Sequence, residues 1–139
     1  MNAEKVFKYF SYMGVFGLSI WVITPLVAEN TTIFFLVFDG NYSELFDLTP
    51  GEGNGPSVMI FYPIVFYATP VYLHYKYIRT TNNIYVSILF DFWVIVAVLR
   101  LLSILSKGFV WDFYMQFAVP VEIVLPFIYF YFKKELSKV

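Results

Sequence analysis

Long apolar runs separated by short polar interruptions set the pattern of this chain. Four stretches, 7–28, 57–77, 83–105 and 113–132, are each about twenty residues long and carry few charges. At 1.5 Å per residue, about twenty helical residues cross a ~30 Å hydrocarbon core. The pattern predicts an all-α, polytopic integral membrane four-helix bundle, one transmembrane domain over 1–139, with a long outer loop at 29–56.

Within the runs, particular residues suggest how the helices meet. Ser11, Gly14 and Gly17 fall three apart in the first span, a stripe of small residues where a neighbour can approach closely. Pro25 can kink or end that span, and Pro63 and Pro70 in the second and Pro120 and Pro126 in the fourth free backbone carbonyls that need other partners. Kinked helices around a small cavity would be one consequence. Lys5 and Lys8 ahead of the first run, with Leu26-Val27-Ala28 after it, also fit a signal peptide with a poor cleavage site; we read the segment as a retained helix.

Charge then orients the spans. Lys5 and Lys8 precede the first, Lys76 and Arg79 lie between the second and third, and Lys133, Lys134 and Lys138 follow the last. The 30–56 stretch has no Lys or Arg but carries Asp39, Glu44, Asp47 and Glu52. Short loops rich in Lys and Arg stay on the cytoplasmic side, so both termini are expected inside. The expected location is a bacterial plasma (inner) membrane. The long loop reads as an apolar step (Ile33 to Phe38), a turn at Asp39-Gly40-Asn41 and an irregular stretch from Thr49 to Pro56. Asn30-Thr31-Thr32 and Asn41-Tyr42-Ser43 match the glycan acceptor pattern, which arises often by chance. Glu44, Asp47 and Glu52 lack EF-hand spacing and read as a solvated acidic surface rather than a calcium site.

Composition narrows the chemistry. Sixty per cent of the residues are apolar and 14% charged, where a soluble domain has about one-quarter charged. A net charge of −1 makes nucleic acid an unsuitable partner. With no Cys and one His, disulfides, thiol nucleophiles, Cys-ligated metals and multi-His metal sites are excluded within the chain. No Ser/His/Asp set in order, HExxH or P-loop is present, and Gly51-x-Gly53-x-Gly55 follows no strand. The expectation is therefore no enzyme and no cofactor. Among the 17 Phe, 12 Tyr and 3 Trp, those near span ends (Tyr75, Tyr77, Tyr129, Tyr131) are expected in an interfacial belt. Phe66 and Tyr67 lie deeper, where packing or a flat lipid would engage them.

Three ionisable residues interrupt the spans: Asp91, Arg100 and Glu122. A charge at mid-membrane costs at least ~2.5–3.5 kcal/mol and normally faces the bundle and a partner. Measured from the short loop 106–111, Arg100 lies roughly 9 Å and Glu122 roughly 15 Å into their helices, within reach of a bidentate pair. Such a pair either pins two helices together or lines a polar pocket for a headgroup, a carboxylate or a proton. Nine residues at about 100° each place Asp91 on the opposite side of its helix. Its nearest candidate cation is His74, with Lys76 second, and an Asp91–His74 pair would suit a proton relay. The alternative has His74 and Lys76 reaching the interface and Asp91 contacting another subunit.

The Leu99-Arg100-Leu101-Leu102-Ser103 segment, the Lys107-Gly108 loop and Val121-Glu122 in a final apolar helix resemble the DUF4345 family of small bacterial four-helix membrane proteins, broadly DoxX-like in shape. The resemblance covers the third and fourth spans best, about 50 residues. It implies the topology and an Arg100–Glu122 pairing, and no settled activity. The 38–56 insertion and the Pro56–Pro63 entry depart from that pattern.

Two function classes follow. One is a non-catalytic accessory or structural subunit of a larger membrane complex, in contact with membrane lipids and other membrane protein subunits. The other is a stand-alone bundle binding a lipid, isoprenoid or other apolar ligand, with Arg100 and Glu122 orienting its polar end. A proton or ion pathway through Asp91, Arg100 and Glu122 is a weaker third.

Overall fold

The computed structural model describes residues 2–27, 55–108 and 113–138, with side chains over 2–23, 64–106, 108 and 119–138. Most of the 29–56 loop lies outside them, including the two glycan triplets and the acids Asp39, Glu44, Asp47 and Glu52. Among the described residues there are four helices and no strand: α1 (Ala3–Val27), α2 (Gly55–Thr80), α3 (Ile84–Lys107) and α4 (Phe113–Leu136).

Each helix outruns the apolar stretch that predicts it. α1 begins four residues before Phe7, and α4 continues four residues past Phe132. Charged residues fill these extensions, and a helix satisfies its backbone whether or not its surroundings are apolar. The prolines do not end their helices either. α1 runs through Pro25, α2 through Pro63 and Pro70, and α4 through Pro120 and Pro126.

The chain divides into two compact units, Met1–Tyr12 with Leu73–Val139 and Met13–Tyr72. In the second unit, Trp21 stacks on Tyr67, their ring centroids 5.8 Å apart, and Tyr67 meets Phe66 edge-on. Phe66 and Tyr67 thus pack on protein rings. The small-residue stripe does not act as one seam. Ser11 is fully buried, whereas a Cβ added at Gly17 would meet nothing within 4 Å.

The first unit is built on the α3–α4 pair. Its buried positions recur at three- and four-residue steps: Val86, Leu89, Trp93 and Val96 on α3; Val119, Glu122, Pro126, Tyr129, Phe132 and Leu136 on α4. That spacing keeps one stripe of each helix facing its neighbour. The two helices run antiparallel: Asn83 donates from its side chain to the Leu136 carbonyl (2.9 Å), and Arg100 meets Glu122 nearer the other end. At the α2–α3 turn, the Thr81 amide donates to the Tyr77 carbonyl, and the Asn82 side chain accepts from the Ile84 amide. Thr81 adopts φ +51°, the left-handed conformation that stops a helix. At the far end Gly108, at φ +84°, donates its amide to the Ile104 carbonyl and ends α3.

Candidate functional site

Arg100 and Glu122 are brought together because both fall on the buried stripes. Arg100 lies seven residues after Trp93, two helical turns on the same face, and Glu122 lies seven before Tyr129. The guanidinium donates from Nε to Glu122 Oε2 at 2.6 Å and from Nη2 to Oε1 at 3.2 Å. This two-point contact is the geometry in which Arg and a carboxylate bind most strongly. The carboxylate is almost buried, and the Arg side chain keeps about a quarter of its surface, 23% against 7%. An acid held this way is committed to its partner and oriented by it.

Asp91 and His74 are not brought together. Asp91 is two residues from both Leu89 and Trp93, about 200° around the helix, so it faces away from the buried stripe. Its side chain is 65% exposed, and its cation is Lys133 of α4, at 3.9 Å, too far for a hydrogen bond. The Lys133 ammonium also lies over the Phe90 ring, 4.7 Å from its centre. An exposed pair of this kind contributes little to stability.

His74 is fully buried, so it does not reach out to an interface. It shares the buried stripe of α2 with Leu73 and Tyr77, and its Nε2 lies 2.8 Å from the Tyr129 hydroxyl. Either the phenol donates to the ring or the ring donates to the phenol, according to the tautomer. Phe7 and Phe10 of α1 close over the imidazole, centroids 6.1 and 6.0 Å away, and Phe7 meets the Tyr77 ring edge-on at 4.7 Å. Phe132 joins both α1 rings.

Two interfacial assignments are therefore corrected. Tyr77 and Tyr129 are core residues, while Tyr75 and Tyr131 are exposed as a belt requires. Period explains the split: Tyr77 and Tyr129 fall on the buried stripes, and their neighbours two positions away do not. Within this cluster Ser11 Oγ, His74 Nδ1 and Tyr77 Oη are buried without a hydrogen-bond partner. Sequence reading missed Tyr129 as the partner of the histidine, and Tyr77 and Ser11 as buried polar residues. The available signal was that His74 lies three residues before Tyr77 and one after Leu73, on an inward face.

No group of three His, Cys, Asp or Glu residues able to hold a metal ion occurs among the described residues. The chain matches no protein-family model, no curated protein and no solved structure.

Proposed function

We propose that this chain is a non-catalytic accessory or structural subunit of a larger membrane protein complex. In this reading it is a four-span bundle with both termini on the cytoplasmic side, and it resembles the DUF4345 and DoxX-like proteins in layout. The observation that carries the proposal is the exposure of its apolar side chains. Among the described residues, α1 over Ala3–Ile23 (mean hydropathy 1.4) and α3 over Ile84–Ser106 (2.4) are long and apolar enough to cross a membrane. Within an 18-residue apolar window of each, only 11% of the residues are buried in the protein. Met13 and Phe16 on α1, Leu105 on α3 and Phe127 on α4 each keep 70% or more of their surface, which water would penalise and lipid would not.

α2 and α4 are rich in Tyr and Pro, which lower mean hydropathy without preventing burial in lipid. Their lysines and arginine cluster at the ends that the topology places inside. Protein contact, beyond lipid, is favoured by the position of Asp91. It sits seven residues into α3, about 10 Å from its start, on an otherwise apolar face formed with Ile88 and Ile95. A lipid-facing carboxylate at that depth is costly, and a neighbouring subunit removes the cost.

The test is extraction of tagged protein in mild detergent, with the bound proteins and lipids identified by mass spectrometry. Other membrane proteins in fixed stoichiometry are expected. Purification of this chain with no other protein but with one enriched small molecule would replace the proposal with the ligand-binding reading. The unpartnered Ser11, His74 and Tyr77 atoms would then be its candidate polar contacts.

A further inference from the structure

We infer that the α3–α4 face around Asp91 and Lys133 is covered by the same face of a second copy of this chain. The inference rests on the membrane reading above and names one partner for this face. Its starting point is that acid and base lie side by side. Asp91 on α3 and Lys133 on α4 are 3.9 Å apart, with 65% and 40% of their side chains exposed. Around them are apolar side chains that the unit leaves open: Ile88 and Ile95 on α3 and Phe130 on α4.

Any partner must satisfy both signs within about one side-chain width. A surface with a single base opposite Asp91 brings that base close to Lys133 as well, and one with a single acid meets the converse problem. The same patch turned by 180° presents the two charges in reversed order. Asp91 then faces the second copy's lysine, and Lys133 faces the second copy's aspartate. Self-complementarity of this kind is what a two-fold interface requires. The geometry also suits a membrane. Asp91 and Lys133 lie at one depth, so a two-fold axis along the membrane normal brings unlike charges together while both copies keep the same topology. α3 then packs on the second copy's α4, with Ile88 and Ile95 against Phe130. Each carboxylate gains a second cation and loses its contact with lipid.

The experiment uses full-length chains carrying two different affinity tags, co-expressed and extracted in mild detergent. Wild-type chains should co-purify, with a native mass twice the 16.3 kDa of one chain. Asp91→Lys alone places two bases on every copy, and Lys133→Asp alone places two acids. Each should reduce self-co-purification at least tenfold. Co-expressed together, one Asp91→Lys chain and one Lys133→Asp chain should form the mixed dimer at close to the wild-type level, because every cross-pair is again opposite in sign. An intramolecular role for the pair gives no such rescue, since each chain remains like-charged within itself.

Wild-type protein of single-chain mass, unaltered co-purification by the single variants, or absence of rescue in the mixture would each overturn the inference. Should a single variant fail to accumulate, the wild-type mass decides. Resistance of the wild-type chain to alkaline carbonate extraction tests the membrane reading separately: a carbonate-soluble chain removes that reading, and a carbonate-resistant monomer removes only the dimer.

Discussion

The two ends of the α3–α4 pair solve the same problem by different means. Near the Gly108 turn, one full charge meets another, Arg100 on Glu122, through two hydrogen bonds. Near the 81–83 turn no charge is buried. There Phe7, Phe10 and Phe132 surround His74 and Tyr129, which share one hydrogen bond, and three polar atoms are left over. The first end is polar, fully paired and made of two residues from neighbouring helices. The second is mostly aromatic, incompletely paired and drawn from three helices. Paired charge fixes the register of two helices, because a slip of one residue carries either partner off its stripe. Aromatic packing tolerates more variation and gathers segments that are distant in sequence.

The largest effect should come from breaking the charged end. Arg100→Leu or Glu122→Leu leaves the other charge without its partner, and each should cost about 3–5 kcal/mol, read as lost thermal stability and folded yield in detergent. The double variant should recover most of the loss, since two apolar side chains of similar volume can replace a buried pair. Silent single variants would mean that the pair contributes nothing to folding.

At the aromatic end the effects should be smaller and opposite in sign for two tyrosines. Tyr129→Phe removes the hydroxyl that satisfies His74 Nε2 and should cost about 1–3 kcal/mol. Tyr77→Phe removes a buried hydroxyl that has no partner, so it should be neutral or stabilising by up to about 1 kcal/mol. Thermal unfolding of the two variants side by side checks this. A Tyr77→Phe loss as large as that of Tyr129→Phe would show that the Tyr77 hydroxyl is satisfied in solution, with an internal water the natural partner.

The same contrast explains what the sequence revealed. The four helices were legible because apolar runs of about twenty residues leave few alternatives, although their charged ends were cut short by a rule that counts only apolar residues. The Arg100–Glu122 contact was legible because both are rare charges within long apolar runs on consecutive helices joined by a short loop, so their levels follow from residue number. His74 was different. Its partner lies 55 residues away on α4, and tyrosine is so common here that none of the twelve stands out. Expecting a carboxylate for the histidine ignored the direction in which Asp91 points. Counting from Leu89 and Trp93 sends Asp91 outward and leaves His74 to the core.

The central claim is that α3 and α4 cross a membrane, with the Gly108 end outside and the end at the 81–83 turn on the cytoplasmic side. Because the chain contains no Cys, single cysteines introduced at Ser106 and Ser137, both exposed, can be labelled without background. The measurement is reaction with a membrane-impermeant maleimide in intact cells and again after permeabilisation. The account predicts that Ser106→Cys is labelled in intact cells and Ser137→Cys only after permeabilisation. Labelling of both positions from the same side, or of Ser137→Cys alone in intact cells, would contradict it.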